Sequence, residues 1–546
     1  MHRAPVILAL SLLAVTTVPA VTGDLGSIEF PNSGAPAAQE AFRKAVLLLH
    51  NFEYEDAREL FQEAGRIDPD FAMAAWGEAM THNHPIWREQ DREAGLAALA
   101  KCAPTPEARL GKAPTERERD YLRAVEILYG EGEKLERDLA YSEWMAGMAR
   151  RYPEDLEARA FHALAILGEA QGIRDFATYM RAGAVAEEVF AANPRHPGAA
   201  HYMIHSYDDP VHAPLGLRAA RVYATIAPAA SHAQHMISHI YVALGLWPES
   251  VEANVKSFDV SFVRRKEKGL GTDSLNYHSL HWLEYSYLQL GRLEDARKAL
   301  DMMTGYAGES GSPRALWHHA MMRAGWIVET GREAPEGIRL GETQITAAAA
   351  DSFAAGYLAL LKGDRTGAEK AVELIGSRRE TAAAGHLCGQ KAGYSDTSKT
   401  DLAAAEVMRT SLRALIELDA GRTDGALSLL EEATAAEEGM PMDFGPPAIV
   451  KPSHEIYGEV LLKLGRPQEA LDQFRKALER APRRSLSLAG MARAARAVSD
   501  TKAVARACAE LESIYAGADE TVSLPEACAG GAVIGRAAPA GSGSRR

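Results

Sequence analysis

Two pairs of histidines carry the most specific chemistry that this sequence could support. His201 and His205 form one HxxxH pair, and His235 and His239 form another. Because residues four apart on an α-helix lie on one face, each pair can direct two imidazole rings to the same side. The two pairs are 34 residues apart at both positions. This equal spacing indicates that they occupy equivalent positions in two consecutive structural repeats.

A fifth histidine follows the same register on the next predicted helix. His281 lies ten residues before Gly291, as His235 lies ten residues before Gly245. We therefore expect stacked helices, with axes about 8–10 Å apart, to bring these rings to one level. The predicted ligands of a transition-metal site are His201, His205, His235, His239 and His281.

Several polar residues near these five form a second tier of candidates. A carboxylate beside a ligand imidazole commonly fixes its tautomer or binds the ion directly. The second-tier residues are His84, His212, His232, His278, Asp208, Asp209 and Glu284. A site rich in imidazole and free of thiolate suits copper, zinc or non-haem iron, and copper is our first expectation.

Three functions are compatible with this pattern. The first is a metal-binding protein whose histidine cluster lies in a concave groove. The second is a metal-dependent enzyme, oxidative with copper or iron and hydrolytic with zinc, which needs an open coordination position and an acid or base such as Asp208 or Glu284. The third is a metal-free adaptor that binds a peptide or protein partner in the groove. The sequence contains no phosphate-binding loop and no HExxH helix.

The elements that must position the histidines are predicted to be helices. Apolar residues recur three and four positions apart over most of the chain. Two distant segments share the spacing alanine, phenylalanine four residues later, alanine seven residues later and proline twelve residues later. They are Ala57, Phe61, Ala64 and Pro69, and Ala470, Phe474, Ala477 and Pro482. This spacing is typical of a helical hairpin in which small residues allow close packing.

The same hairpin turn recurs along the chain. Glycines mark it at Gly245, Gly291, Gly331, Gly421 and Gly465. A period of 34 residues is that of tetratricopeptide (TPR) repeats. We therefore predict an all-α fold, a TPR-like α-solenoid of antiparallel helical hairpins that forms a curved superhelix with a concave groove.

The composition divides the chain into five segments. We expect a signal peptide at 1–20, an extended segment at 21–37, TPR-like repeats with the histidine cluster at 38–303, further TPR-like repeats at 313–515 and a disordered tail at 529–546. Polar or Gly/Lys-rich stretches predict breaks in the array at about 103–116, 258–274, 304–314, 376–400 and 436–453.

The first twenty residues have the features of a secretory signal. His2 and Arg3 precede an apolar stretch too short to span a bilayer, and Val18-Pro19-Ala20 supplies small residues for cleavage. We therefore expect an exported protein, periplasmic or secreted. No later run approaches eighteen apolar residues, so the mature chain is predicted to have no membrane span.

Charge and cysteine content narrow the partners. The net charge of −14 and the pI of about 5.8 argue against a nucleic-acid partner, because such proteins neutralise phosphates with basic residues. The four cysteines form no CxxC pair. Cys508 and Cys528 are close enough to bridge in an oxidising compartment, and the sequence leaves that pairing open.

Several segments resemble those of a widespread group of exported bacterial TPR proteins, including the motifs HYxIH and HMxSHI. The segments are Glu78–Pro85, Arg174–Arg181, Ala200–Pro210, His235–Ile240, Phe444–Pro447 and Lys451–Glu455. The resemblance covers nearly the whole mature chain and implies a TPR fold and export. It implies no catalytic residue, because the group has no settled activity.

Overall fold

Consecutive antiparallel helical hairpins form the whole of the described protein. The computed structural model describes residues 23–170, 174–335, 344–387, 397–442 and 444–529. Within these ranges there are 24 α-helices, and the only strands are two of two residues each. Helices adjacent in sequence pack against each other along the chain. The prediction of an all-α solenoid of helical hairpins is confirmed.

The helices of the first half begin with a segment, residues 23–35, that contains no helix. They are α1 Gln39–His50, α2 Tyr54–Ile67, α3 Ala72–Met80, α4 Arg92–Cys102, α5 Pro106–Lys112, α6 Glu116–Leu128, α7 Lys134–Arg151, α8 Leu156–Glu169, α9 Phe176–Ala192, α10 Pro197–Tyr207, α11 Ala213–Ile226 and α12 Ser231–Ala243. Strands β1 Asn83–His84 and β2 Glu89–Gln90 pair antiparallel between α3 and α4.

The helices of the second half continue the same order of hairpins. They are α13 Trp247–Lys268, α14 Tyr277–Gln289, α15 Leu293–Ser310, α16 Pro313–Thr330, α17 Ile345–Leu361, α18 Arg365–Leu387, α19 Lys399–Asp419, α20 Thr423–Glu438, α21 Ser453–Lys463, α22 Pro467–Arg480, α23 Ser485–Ala497 and α24 Thr501–Ile514.

The glycines predicted to mark hairpin turns adopt the backbone conformation that requires glycine. Gly245, Gly291 and Gly465 lie in the turns after α12, α14 and α21, with φ of 65°, 68° and 72°. This left-handed region is easily populated only by glycine, which is therefore the common residue just after a helix. These glycines fix the register between the two helices of each hairpin.

The recurring phenylalanine explains the close packing of neighbouring helices. The Phe474 ring on α22 lies against Gly458 on α21 and Gly490 on α23, where an added Cβ would approach the ring to 2.8 Å and 2.2 Å. Phe61 on α2 contacts Gly77 on α3 in the same way, at 2.1 Å. The aromatic ring thus fills the space that a glycine on the adjacent helix leaves open.

Three of the predicted breaks are narrower than expected, because a helix extends into each of them and ends there. Helix α13 continues to Lys268, α15 to Ser310 and α18 to Leu387. The basic end of α13 is held by acidic residues of α2. The Arg264 guanidinium donates to both oxygens of Asp56, and Lys268 donates to Asp56 and Glu59. A basic stretch that resembles a linker is therefore a helix end paired across the array.

The C-terminal repeats also fold back onto the centre of the array. Arg483 donates to the carbonyl oxygen of Gly245 at 2.8 Å, and the indole of Trp247 donates to the carbonyl oxygen of Arg483 at 3.1 Å. Arg484, fully buried, donates to Glu455 and to the hydroxyl of Tyr285. The C-terminal repeats thus contact both the turn after α12 and helix α14.

The described cysteines form one disulfide and leave one free thiol. Cys508 and Cys528 form a disulfide, with their Cα atoms 5.5 Å apart. Cys102 is a buried free thiol. The predicted signal peptide lies outside the described residues, as does all but Ala529 of the predicted tail. None of the described helices combines the length and the apolar character needed to cross a membrane.

The buried guanidinium of Arg484 generates a stability prediction. It pairs with Glu455 at 2.8 Å and with Glu329 at 2.5 Å. We expect Arg484→Ala to lower the free energy of unfolding by about 3–5 kcal/mol, because it leaves the buried carboxylate of Glu329 without its paired cation and Glu455 with Lys451 alone. Urea denaturation measures the change. Arg493→Ala on the exposed side of the same helix is the control, and equal stability of the two variants would contradict this role.

Candidate metal centre

Three neighbouring helices carry the predicted histidines. Helix α10 begins at Pro197, and the Nδ1 atom of His196 accepts the Ala199 N–H at 3.1 Å to cap its first turn. This start places His201 and His205 on the side of α10 that faces α12, which carries His235 and His239. All four predicted ligands on these two helices are at most 3% exposed.

The histidines gather into two triads of the same construction. Helices α10, α12 and α14 are each the first helix of a hairpin. Each triad takes an HxxxH pair from one of them and a third histidine from the first helix of the following hairpin. The first triad is His201, His205 and His232, and the second is His235, His239 and His278. One ligand atom of each residue lies within 4.8 Å of the others in its triad. Such a set matches the three imidazoles that commonly hold a metal ion.

The third member of each triad came from the second tier of the sequence analysis. His232 and His278 lie thirteen residues before the turn glycines Gly245 and Gly291. Each is half-buried, while the pair it joins is buried. Their equal register was present in the sequence. The sequence did not show which helix each would contact. His232 joins the pair on α10, although α12 carries a pair of its own.

Hydrogen bonds fix the tautomer of three of these rings. The Nδ1 atom of His201 donates to the carbonyl oxygen of His50 at 2.8 Å, and that of His239 donates to the carboxylate of Asp208 at 2.7 Å. The Nδ1 atom of His235 donates to the amide oxygen of Asn254 at 2.7 Å. Partners of this kind turn the Nε2 lone pair of a ring toward a metal.

The Nε2 atoms of His235 and His239 face each other at 3.1 Å. The Asn254 amide nitrogen donates to the carbonyl of Ser250, so its oxygen must accept from His235. Both Nδ1 atoms therefore carry the ring proton, and two lone pairs point into the same space. A cation between them relieves this contact. In the first triad, the Nε2 atoms of His201 and His232 are 3.2 Å apart, and Nε2 of His205 has no hydrogen-bond partner.

Burial keeps the rings uncharged. It lowers the pKa of His201, His232 and His235 well below the ordinary value, and neighbouring histidines lower it further. The pKa of His239 is also lowered by burial, although Asp208 opposes the shift. Neutral imidazole is the form that binds a metal. The triads are thus ready to accept a cation without first releasing a proton to water.

Asp208 supports the site and is not available as a base. Burial alone would raise its pKa, but the Arg174 guanidinium and the rings of His205 and His239 together hold it well below its usual range. Its carboxylate pairs with Arg174 at 2.5 Å. The group His205, Asp208 and His239 also has ligand atoms within 4.8 Å, so the carboxylate lies between the two triads.

Besides Asp208, five candidates lie outside both triads. The ring of His281 faces Trp317 and His318 at centroid distances of 5.8 and 5.7 Å. Glu284 is buried beside Glu329, and burial raises its pKa well above the ordinary value.

The other three are held by local hydrogen bonds. His84 contacts Glu89 and the carbonyl of Thr81, and His212 contacts Asp209, which also pairs with Arg174. His84, His212 and Asp209 are therefore engaged in hydrogen bonds or ion pairs of their own and belong to neither triad.

The rings of both HxxxH pairs are buried and do not line the expected concave groove, whereas His232 and His278 are half-buried. Phe52, at a left-handed φ of 56°, lies 4.2 Å from the ring of His201. The rings of Trp282 and Phe444 stack on His239 at 4.4 and 5.0 Å. Gly445 lies so close to Trp282 that an added Cβ would approach its ring to 2.2 Å. The loop before α21 therefore closes the second triad.

A third group of potential ligands is a closed hydrogen-bond network. Glu157 accepts from Nε2 of His50 at 2.7 Å and from Nε2 of His196 at 3.1 Å. The remaining ring nitrogens are also bonded, that of His50 to the hydroxyl of Tyr202 and that of His196 to the backbone. Because both rings are fully satisfied, this group orients the backbone of His50 under His201 and offers no lone pair to a metal.

The two triads are neighbours. The ring centroids of His205 and His239 are 5.5 Å apart, and those of His232 and His235 are 6.2 Å apart. These separations lie within the range of 4.6–6.5 Å found inside the triads. Two ions, one in each triad, would therefore share a single enclosed site.

Comparisons with known proteins bear on the fold. The sequence model of the tetratricopeptide repeat matches residues 452–484. No curated protein matches the sequence.

Several solved structures of low identity are similar. Yeast Tom70 shares 11% identity, with 85% of this chain and 96% of that chain covered and a TM-score of 0.31. The Cut9–Hcn1 hetero-tetramer of APC/C shares 12%, with 85% and 78% covered and a TM-score of 0.34. Human IFIT1 with m7Gppp-AAAA shares 12%, with 89% and 90% covered and a TM-score of 0.35.

The matched residues coincide with a regular hairpin of the array. They include α21, α22 and the turn glycine Gly465. The protein therefore contains a tetratricopeptide repeat within an all-α array of helical hairpins.

Proposed function

We propose that this repeat protein binds two transition-metal ions, one in each histidine triad. The observation that carries the proposal is the pair of unprotonated Nε2 atoms of His235 and His239, buried and 3.1 Å apart. Burial disfavours an extra proton on either ring. A metal ion is the cation that such a contact accommodates best, because it accepts both lone pairs at once.

Copper is the ion that we propose first, with zinc or iron as alternatives. Each triad offers three imidazoles and no thiolate. Imidazole suits copper, zinc and iron, and affinity for divalent ions of this series is greatest for copper. Competition among the ions for the purified metal-free protein ranks them directly.

We also propose that the protein is exported. The basic start, the short apolar stretch and Val18-Pro19-Ala20 support this. The disulfide between Cys508 and Cys528 is consistent with an oxidising compartment. N-terminal sequencing of the mature protein is expected to begin near Val21, and a mature chain that begins at Met1 would contradict export.

A metal-dependent enzyme is the second candidate. Three imidazoles leave a fourth coordination position open, which catalysis requires. Glu53 accepts the backbone N–H of His232 at 3.0 Å, and burial raises the pKa of its carboxyl to about 7. A carboxyl that titrates near neutral pH beside a metal site is suited to acid–base chemistry. The HxxxH pairs give no support to a metal-free adaptor, because their rings are at most 3% exposed and are not offered to a peptide.

Substitution of the pairs tests the proposed site. We expect His201→Gln to remove the ion of the first triad and His235→Gln that of the second, because each change removes one of three ligands. The double variant should bind neither ion. Elemental analysis after gel filtration measures the content, and the metal-dependent rise in melting temperature should fall in parallel.

His454→Gln is the matched control for these variants. His454 is 2% exposed and lies on α21, where its ring contacts Gln473 and Glu438 and belongs to neither triad. Its metal content should equal that of the unaltered protein. Full metal occupancy in the His201/His235 double variant would overturn the proposal.

Asn254 tests whether ring orientation matters in the second triad. Asn254→Leu removes the acceptor that holds Nδ1 of His235 and leaves every ligand in place. We expect the affinity of the second triad to fall about 10–100-fold, as is usual when such a partner is lost.

Isothermal titration with the chosen ion measures this affinity. The first triad should keep its affinity in the same protein, because its tautomers are set by His50. Asn193→Leu, at the exposed end of α9, is the control. Unchanged affinity of both triads in Asn254→Leu would contradict the assigned tautomer.

A further inference from the structure

The register of the two triads continues onto a third helix. A histidine lies thirteen residues before the turn glycine on each of α12, α14 and α16. These histidines are His232, His278 and His318, before Gly245, Gly291 and Gly331. In both triads this residue faces the first histidine of the HxxxH pair in the preceding hairpin, so that His232 faces His201 and His278 faces His235. His318 therefore occupies the position of the third triad member, one repeat further along.

The residue that His318 should face is also a histidine. His281 lies ten residues before Gly291, as His235 lies before Gly245. The ring centroids of His281 and His318 are 5.7 Å apart. The equivalent distances are 4.9 Å for His201 and His232 and 4.6 Å for His235 and His278. The third pair thus has the same construction with a slightly wider gap.

The arrangement of His281 and His318 differs from the triads at one ligand position. The second histidine of each HxxxH pair is replaced at this level by Tyr285. Its hydroxyl accepts a hydrogen bond from Arg484 at 3.2 Å. The tyrosine therefore serves the contact with the C-terminal repeats, and two imidazoles remain to bind an ion.

The ring of His318 is buried without hydrogen-bond partners and lies next to the ring of His281. It is 1% exposed, and neither of its ring nitrogens has a hydrogen-bond partner. A buried polar atom without a partner destabilises the folded protein. Burial, with His281 and Arg314 nearby, also lowers the pKa of His318 well below its ordinary value. The ring is a neutral imidazole with an unused lone pair, and the ring of His281 is its neighbour at 5.7 Å.

We propose that His281 and His318 form a third, weaker site for a divalent transition metal, completed by water. Two imidazoles select the same class of ion as the triads. The site is weaker because it has one imidazole fewer and because its atoms belong to none of the groups of three ligands found among the described residues. It goes beyond the two-ion proposal and does not require either triad to be filled.

Cobalt titration of the metal-free full-length protein tests the third site. Co²⁺ bound per chain is measured by elemental analysis at rising free Co²⁺, and its visible absorption reports the coordination. We expect three equivalents for the unaltered protein, the third at higher Co²⁺ than the first two. His318→Ala and His281→Ala should each bind two. Circular dichroism establishes that both variants are folded.

His319→Ala is the matched control. His319 is adjacent, 1% exposed and equally without partners at its ring nitrogens, but Arg323 and Asp351 are the charged groups that act on it. The His319→Ala variant should bind three equivalents of Co²⁺. Tyr285→His restores the missing imidazole and should tighten the third equivalent.

The outcomes separate this site from the triads. If His318→Ala and His281→Ala bind as many ions as the unaltered protein, the third site is wrong, whatever the triads bind. If His235→Gln loses no ion while His318→Ala loses one, the third site stands and the two-ion proposal fails.

Discussion

The site depends on a contact that a protein core ordinarily avoids, two imidazole nitrogens without protons that face each other out of water. Nε2 of His235 and Nε2 of His239 are 3.1 Å apart, and each ring has its proton committed to an acceptor on the far side. Water cannot reach them to supply a proton donor, and burial disfavours a second proton on either ring. A metal ion turns this unfavourable contact into two bonds. The same reasoning explains why Asn254, Asp208 and the carbonyl of His50 matter as much as the ligands.

The repeat architecture produces the site twice. A hairpin array stacks its first helices at a constant offset, so a histidine pattern repeated in the sequence becomes a geometry repeated in space. Each triad spans two repeats and cannot form within one. Closure of the array adds the enclosing walls, since Phe52 comes from the first hairpin and Phe444 from the loop before α21. The histidine cluster is therefore a property of the folded array, and its burial depends on contacts such as those of Arg484 that hold the C-terminal repeats in place.

The sequence predicted much of this, and the remainder has physical reasons. The all-α fold and the turn glycines follow from local spacing, and the HxxxH pairs name four of the six triad histidines. His232 and His278 were harder to rank, because each joins the pair on the preceding first helix of the array. The register of His281 was predicted correctly. In the structure, however, its ring lies beside His318 and outside the triads. The break expected at 258–274 begins only after Lys268, because Arg264 and Lys268 on α13 pair with Asp56, some two hundred residues earlier. Long-range partners of this kind are invisible to spacing rules.

The most direct test of the central claim is the position of bound metal in the protein. Crystals of the copper-loaded full-length chain, measured at the copper absorption edge, give an anomalous signal at each ion. The account predicts one ion among Nε2 of His235, Nε2 of His239 and a ring nitrogen of His278, and another among His201, His205 and His232, at metal–nitrogen distances of about 2.0–2.1 Å. Copper found only at surface histidines, with both triads free of anomalous signal, would contradict it.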